Sequence, residues 1–516
     1  MRACFVNAES APELIPGYVT VARRGRSRGT VSDSGASVKI GGNLLCTPRG
    51  MSIEMTKQLF GTDGIRGIPG EYPLDDATVE RVGFALGKHL LSKKGAAGGR
   101  PRVLIGRDTR ESGPHIAGLI ARGLAESGAE AVTAGVVTTP GVAWLVSREG
   151  FSAGVVISAS HNPFHDNGVK LISSLGMKFP DAEEAAIEAL IFSKNGALAG
   201  KPGETRKGQN AAVEANGNER LHEDYLEGLR RAVLPGAKLA GMKIVLDCAN
   251  GAASNLGPQL FRSLGANVSA IHDAPDGRNI NAGCGSLHPV ELQRKVVETG
   301  AALGVAFDGD ADRAIFSSAS GKLVNGDGVL LAAGRYLKSA GKLKGDVIVG
   351  TTMSNLGLER ALERSGLKLV RTDVGDRYVL EEMQRIGANL GGEQPGHILF
   401  LDDATTGDGM LTAVKIASLV ALAGSLDELL ADLKVFPQKI VNVKVKSKPP
   451  LESLPEVGDT LKQAEKALGK AGRVVLRYSG TEPLARVMVE AERIEDVDRW
   501  AGELASALKG TIGVAS

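Results

Sequence analysis

Residues Ala153–Ser173 read AGVVISASHNPFHDNGVKLIS, and their pattern sets the expectation for the whole chain. Val155, Val156 and Ile157 make a short apolar run of the length of a buried strand. The run stops in the polar segment Ser160-His161-Asn162-Pro163. Asn167-Gly168 then precedes a second apolar run, Val169 to Ile172, and Asn-Gly between two such runs is a strong turn signal. The expected local structure is a loop held by two strands, with Ser160 and His161 on it and Lys170 just beyond. Catalytic groups are often placed on loops fixed by rigid elements. An ordinary Asn-Pro/Asn-Gly connection would give the same signals.

The same rhythm recurs on both sides. Strand patterns over 102–106, 131–135, 242–247, 302–307, 346–350 and 368–370 alternate with helical patterns over 75–91, 113–127 and about 258–264. Strands alternating with helices argue for parallel α/β units, in which ligands gather at the C-terminal ends of strands. From Lys439 the order changes to strand, helix, strand, strand, helix, which suggests a small α+β domain. At 516 residues the chain exceeds a single core. Its 68 glycines suit many tight strand-to-helix turns.

Composition excludes several classes. A net charge of +2 gives no basic field for nucleic acid. No run of eighteen apolar residues exists, so no membrane partner is expected. Cys4, Cys46, Cys248 and Cys284 are widely separated and form no C-x-x-C pair, which fits a reducing, cytoplasmic setting. Residues 1–54 differ from the rest. The first fifty carry seven Lys or Arg against three Asp or Glu, with Arg23-Arg24-Gly25-Arg26-Ser27-Arg28 at the centre. A disordered extension, or a start at Met51 or Met55, is expected in preference to a nucleic-acid-binding arm. Walker A and complete G-x-G-x-x-G patterns are absent and no G-x-S-x-G elbow surrounds Ser158 or Ser160, so P-loop, dinucleotide and hydrolase-elbow readings lose their main support.

Four further motifs carry chemistry. Asp308, Asp310 and Asp312 place three carboxylates on one short loop, where they repel unless a cation lies between them. Mg²⁺ wants such hard oxygen ligands. An EF-hand loop is excluded because Arg313 and Ala319 stand where Gly and Glu would be needed. Gly392-Glu393-Gln394-Pro395-Gly396-His397 offers an acid and a histidine in a turn, for sugar hydroxyls or for proton transfer. Arg477-Tyr478-Ser479-Gly480-Thr481-Glu482-Pro483, with Arg486, offers guanidinium, hydroxyl and backbone donors suited to a phosphate dianion. Phe60-Gly61-Thr62-Asp63-Gly64-Ile65-Arg66-Gly67 can bring backbone N–H groups and an arginine to an anion. Each of these could also be a plain turn when taken alone.

Taken together, FGTDGIRG, ISASHNPFHDNGVK, FDGDADR, GGEQPGHI and RYSGTEPLARVMVE resemble, in order, the signature loops of the α-D-phosphohexomutase superfamily over residues 57–516. FGTDGIRG, SGTEP and the GEQ form of the sugar loop are similar to its glucosamine branch. The resemblance implies an α/β protein of three successive mixed α/β sandwich domains plus a small C-terminal α+β domain around a central cleft. The expected bounds are 55–217 with the phosphoserine loop, 218–316 with the metal loop, 317–434 with the sugar loop and 435–516 with the phosphate loop. It implies a phosphorylated Ser160, with Ser158 as a neighbour and not the carrier. One Mg²⁺ would be held by Asp308, Asp310, Asp312 and phospho-Ser160. Arg66 and Lys170 are candidates for acid/base work, with His161 and Arg313 in support. Glu393 would bind sugar hydroxyls, and His397 would lie near the transfer point. Arg477, Ser479, Gly480, Thr481 and Arg486 would hold the non-reacting phosphate.

The implied reaction exchanges glucosamine 6-phosphate and glucosamine 1-phosphate through glucosamine 1,6-bisphosphate, which or another phosphoryl donor would also load Ser160. The partner is then a small sugar phosphate, and the family assembly a homodimer. A glucose or mannose phosphate mutase, or a non-catalytic sugar-phosphate binder, are the alternatives. Pro395 stands where the family usually has Ser, and Tyr478 where it usually has Pro.

Overall fold

The computed structural model describes residues 59–61, 63–94, 99–193, 219–479 and 483–514. The expectation of a disordered extension over 1–54 therefore lies outside the described residues.

The first sheet has five strands in the order Ile65–Gly67, Asn167–Ser173, Ala153–Ile157, Arg102–Arg107, Glu130–Val136. Its last three strands are parallel, while Ala153–Ile157 and Asn167–Ser173 are antiparallel. The second sheet repeats this plan in the order Leu323–Val324, Ala314–Ser318, Leu303–Phe307, Lys243–Asp247, Asn267–Ile271. The third runs Lys368–Thr372, Val347–Thr351, Leu390–Gly392, Ile398–Phe400. In each of the three, a parallel strand turns back on itself in an antiparallel hairpin. Those three hairpin loops carry Ser160, Asp308 to Arg313, and Glu393 to His397. The antiparallel step matters because it places the chemical loop directly at the C-terminal end of a buried parallel strand. The fourth sheet, Gln438–Lys444, Leu484–Ala491, Gly472–Tyr478, is wholly antiparallel and is backed by helices Pro455–Leu468 and Ile494–Ile512.

Several sequence expectations need correction. Asn167-Gly168 is not a turn: both residues open strand Asn167–Ser173, opposite Gly67 and Arg66. The reversal is made earlier, by Asn162 N–H donating to Ala159 O and Asp166 N–H to Pro163 O. Gly168 serves close approach instead, since a Cβ there would lie 2.7 Å from Ser158 O and 2.8 Å from Arg66 Cδ. The helix expected near Pro258 begins earlier and spans Ala253–Ser263, with Pro258 inside it. Proline there forfeits one intrahelical hydrogen bond, which the packing of buried Leu256, Leu260 and Phe261 outweighs. The boundary placed at 316/317 cuts strand Ala314–Ser318, and its hairpin carries the second sheet on to Val324.

The largest apolar cluster is shared by the three α/β sheets. It joins Val142, Val156, Leu246, Phe307, Leu330 and Leu390 around helix Gly409–Ala423. That helix is apolar on nearly every face, as a helix enclosed by neighbours must be. Asp408 caps it, accepting from Leu411 N–H at 2.9 Å, and the buried Tyr225 hydroxyl donates to the other carboxylate oxygen at 2.9 Å. Tyr225→Phe is expected to leave that carboxylate short of a donor and to cost about 1–3 kcal/mol. A lower urea midpoint at unchanged slope would show it.

Candidate functional site

Ser160 sits at the tip of the first hairpin and is only 3% exposed. Its φ of +50° is a left-handed conformation, uncommon outside glycine. Its N–H donates to Ser158 Oγ at 2.9 Å, and Ser158 Oγ donates to Asp108 Oδ2 at 2.6 Å. Ser158 is thus fully engaged in holding the loop. Ser160 Oγ points the other way, donating to Asp308 Oδ2 at 2.7 Å and lying 3.4 Å from His161 Nδ1.

The second hairpin brings Asp308, Asp310 and Asp312 to that oxygen. Gly309 allows the approach: a Cβ there would lie 2.5 Å from Ser160 O. One oxygen from each aspartate lies within 4.8 Å of the others. Asp310 Oδ1 and Asp312 Oδ1 are buried with no hydrogen-bond partner. Burial, reinforced by Asp312 and Asp310, pushes the Asp308 carboxyl well above its ordinary range. Three crowded carboxylates, Asp308 and Asp310 buried and Asp312 partly so, with two orphaned oxygens, fit a hard divalent cation, which would satisfy both.

Cations surround the trio. Lys170 Nζ is 3.1 Å from Asp310 and 3.2 Å from Asp63. Burial works against its charge, but Asp310 and Asp63 outweigh burial and raise its pKa. The charged form of Lys170 is thus favoured, which suits it to neutralising charge and to donating a proton. Arg66 pairs with Asp63. Arg313 N–H donates to Asp308 Oδ1 at 3.2 Å, and its buried Nε has no hydrogen-bond partner. Burial first, then Arg313, lowers the pKa of His161 and keeps that ring neutral near pH 7. His397, from the third hairpin, places Nδ1 3.7 Å from Asp312 Oδ2. Burial opposes its charge, but Asp312 prevails and raises its pKa.

Glu393 lies in the same hairpin turn, which Gly396 N–H closes on Glu393 O at 3.0 Å. Its Oε1 accepts from Gly375 N–H at 3.0 Å, and the residue is 8% exposed. Arg477 and Arg486 face one another across the fourth sheet. Burial, then Arg486, lowers the Arg477 pKa, while Asp373 after the third sheet's edge strand opposes. That sheet docks on the third domain through Arg473, which donates to Thr352 O at 2.9 Å and Ser354 O at 2.6 Å. Ser479 is buried, and Gly480 and Thr481 lie outside the described residues. Tyr478 Oη donates to Pro449 O at 2.7 Å, so the departure at this position is absorbed within the domain.

Sequence reasoning missed three groups. Asp63 joins Lys170, Arg66 and Lys178, and Lys178 continues to Asp376 at 2.7 Å. Arg110 is fully buried beneath the Ser160 loop. Thr139 Oγ1 donates to Asp310 Oδ2 at 2.6 Å. The run Arg107-Asp108-Thr109-Arg110, at the end of a strand, was the available signal for Arg110.

The chain matches a known protein family along most of its length. Phosphoglucomutase/phosphomannomutase domain models match in order: alpha/beta/alpha domain I at 57–197, domain II at 223–321, domain III at 325–436 and the C-terminal domain at 440–507. The phosphoglucosamine mutase of Solibacter usitatus is 52% identical over 461 residues, 89% of this chain and 100% of that protein. That of Staphylococcus aureus strain JH9 is 43% identical over 466 residues, 88% and 99% of the two chains. Among solved structures, a phosphoglucomutase/phosphomannomutase family protein from Burkholderia thailandensis shares the fold with a TM-score of 0.69 at 23% identity, covering 88% and 99%. The Aspergillus fumigatus N-acetylphosphoglucosamine mutase, in complex with GlcNAc-6P and magnesium, does so at 0.59 and 19%, covering 88% and 96%. Four family domains in sequence and relatives matched over their full length show that this chain belongs to the phosphoglucosamine mutases of the phosphoglucomutase/phosphomannomutase family.

Proposed function

We propose that the protein interconverts glucosamine 6-phosphate and glucosamine 1-phosphate by way of a phosphorylated Ser160 and glucosamine 1,6-bisphosphate. The observation that carries this is Ser160 Oγ, held 2.7 Å from Asp308 in a crowded trio of carboxylates. A serine hydroxyl is a weak nucleophile unless a base and a cation stand beside it. Here the neutral His161 is the adjacent base. As Ser160 Oγ bonds to phosphorus, its proton leaves the hydrogen bond with Asp308 for His161 Nδ1, 3.4 Å from Oγ, and the sugar oxygen leaves as a hydroxyl with a proton from Lys170. In the reverse step His161 returns its proton to Ser160 Oγ as the Oγ–phosphorus bond breaks, and the sugar hydroxyl that takes the phosphoryl group gives its own proton to Lys170.

Asp308, Asp310 and Asp312, with an oxygen of phospho-Ser160, would hold Mg²⁺, which when bound supplies Lewis-acid neutralisation of the phosphoryl oxygens. Lys170, Arg66 and Arg313 add fixed positive charge around the same oxygens, as phosphoryl transfer requires. Glu393 keeps one carboxylate oxygen clear of Gly375 for a sugar hydroxyl. Arg477, Ser479, Gly480, Thr481 and Arg486 would hold the phosphate that is not reacting. The reading puts a homodimeric enzyme in the cytoplasm, feeding amino-sugar nucleotide and cell-wall precursor synthesis, with the bisphosphate or another donor loading Ser160 first. Among the described residues no helix is long and apolar enough to cross a membrane.

Initial rates on glucosamine 6-phosphate, glucose 6-phosphate and mannose 6-phosphate test the substrate. The amino sugar is expected to give the highest kcat/KM. If it is the poorest of the three, the assignment falls to a glucose or mannose phosphate mutase.

A further inference from the structure

The loop that carries Ser160 is held from two domains at once. From its own domain comes Arg110, whose five N–H donors are all used. Nε donates to Asp108 Oδ2 at 2.9 Å, Nη1 to Pro163 O and to Asp166 O, and Nη2 to Ser160 O at 3.0 Å and Asn162 O at 2.8 Å. From the second domain comes Asn281, whose Nδ2 donates to the same two carbonyls, Ser160 O at 2.9 Å and Asn162 O at 3.1 Å. Each carbonyl thus accepts from both domains.

Asn281 is itself firmly placed. Its φ is +58°, a conformation asparagine tolerates better than most residues. Its N–H donates to Ala249 O at 2.9 Å, and four residues on Gly285 N–H donates to the buried Asp247 carboxylate at 2.9 Å. A Cβ on Gly309, in the carboxylate loop, would lie 2.8 Å from Asn281 Nδ2. Asn281 therefore sits where the serine loop and the carboxylate loop meet. A left-handed Ser160 persists only if its surroundings over-determine it.

We propose that Asn281 is a positioning residue for phosphoryl transfer: by tying the Ser160 and Asn162 carbonyls to the second domain, it fixes Ser160 Oγ relative to Asp308. This rests on the function proposed above. Misplacing a reacting atom by about 1 Å can lower rate by about 100-fold. Asn281→Gly accepts the positive φ and removes the amide. Asn281→Asp keeps the shape and turns an acceptor toward two carbonyls. Both are expected to lower kcat by about 10- to 100-fold while KM for glucosamine 6-phosphate stays within about twofold. Uptake of one phosphoryl group onto Ser160 from glucose 1,6-bisphosphate, followed by intact mass, should slow in parallel.

Wild-type kcat in Asn281→Gly overturns the proposal, and so does a change confined to KM. A loss of rate that merely tracks a loss of folded protein in thermal melts assigns Asn281 to domain docking and overturns it as well. If the wild-type protein takes up no phosphoryl group at Ser160, it is the proposed function that has failed and not the role of Asn281.

Discussion

Ser160→Ala is expected to lose mutase activity by about 10⁴-fold or more, the scale at which removal of a covalent nucleophile is felt. The same protein should take up no phosphoryl group from glucose 1,6-bisphosphate. The alanine keeps the backbone of Ser160 and removes the two contacts of Oγ, the hydrogen bond to Asp308 and the longer one with His161 Nδ1. Folding should therefore change by only about 1–2 kcal/mol. Ser158→Ala is the companion measurement. Ser158 Oγ both donates to Asp108 and accepts from the Ser160 N–H, and it is fully buried. Its loss should lower stability by about 1–3 kcal/mol yet leave the phosphoryl mass on the chain. Activity surviving in Ser160→Ala, or the phosphoryl group vanishing with Ser158→Ala alone, would reassign the carrier.

Most strands were legible because they are short apolar runs ended by polar or glycine-rich loops, but Ile65–Gly67, Asn267–Ile271, Ala314–Ser318, Leu323–Val324 and Ile398–Phe400 were not among those expected. The pairing was less so. The run Leu303–Phe307 looks like any other parallel strand, and nothing local says that Ala314–Ser318 returns beside it antiparallel. Asn167-Gly168 misled for a related reason. The dipeptide has the composition of a turn, but here glycine answers a contact from Arg66 that lies far off in sequence. Long-range contacts of this kind override local turn chemistry.

Within the site, Ser160, the three aspartates and His397 were readable because each lies in a polar loop after a strand, and Lys170 because it stands on the strand that follows the Ser160 loop; the structure brings them together. The protonation states were not readable. Lys170 is an acid/base candidate by residue type, and Asp310 and Asp63 on two sides favour its charged, proton-donating form. His161, read as a supporting residue, is the neutral group beside Ser160 Oγ. Asp63 escaped notice because its partners Lys170 and Lys178 are more than a hundred residues away.

The second large effect concerns the carboxylate trio. Asp308→Asn keeps the side-chain shape: its oxygen can accept from Arg313 N–H, and its amide can donate to Ser160 Oγ. What it removes is one of three negative charges crowded in a buried site. Two consequences follow, of opposite sign. In metal-free protein the repulsion among the trio is relieved, so the Asp308→Asn variant should melt at the same temperature as wild type or above it. With magnesium added, wild type should gain stability by mass action, about 2.7 kcal/mol at a hundredfold excess over the dissociation constant. The variant should gain little, and its turnover should fall by about 10³-fold or more, because charge neutralisation is the main term in phosphoryl transfer. Differential scanning calorimetry with and without magnesium, beside turnover measurements on glucosamine 6-phosphate, reads both effects. A magnesium-dependent upshift as large in Asp308→Asn as in wild type would remove Asp308 from the ligand set. Turnover within tenfold of wild type would show that the trio shapes the loop without serving the chemistry.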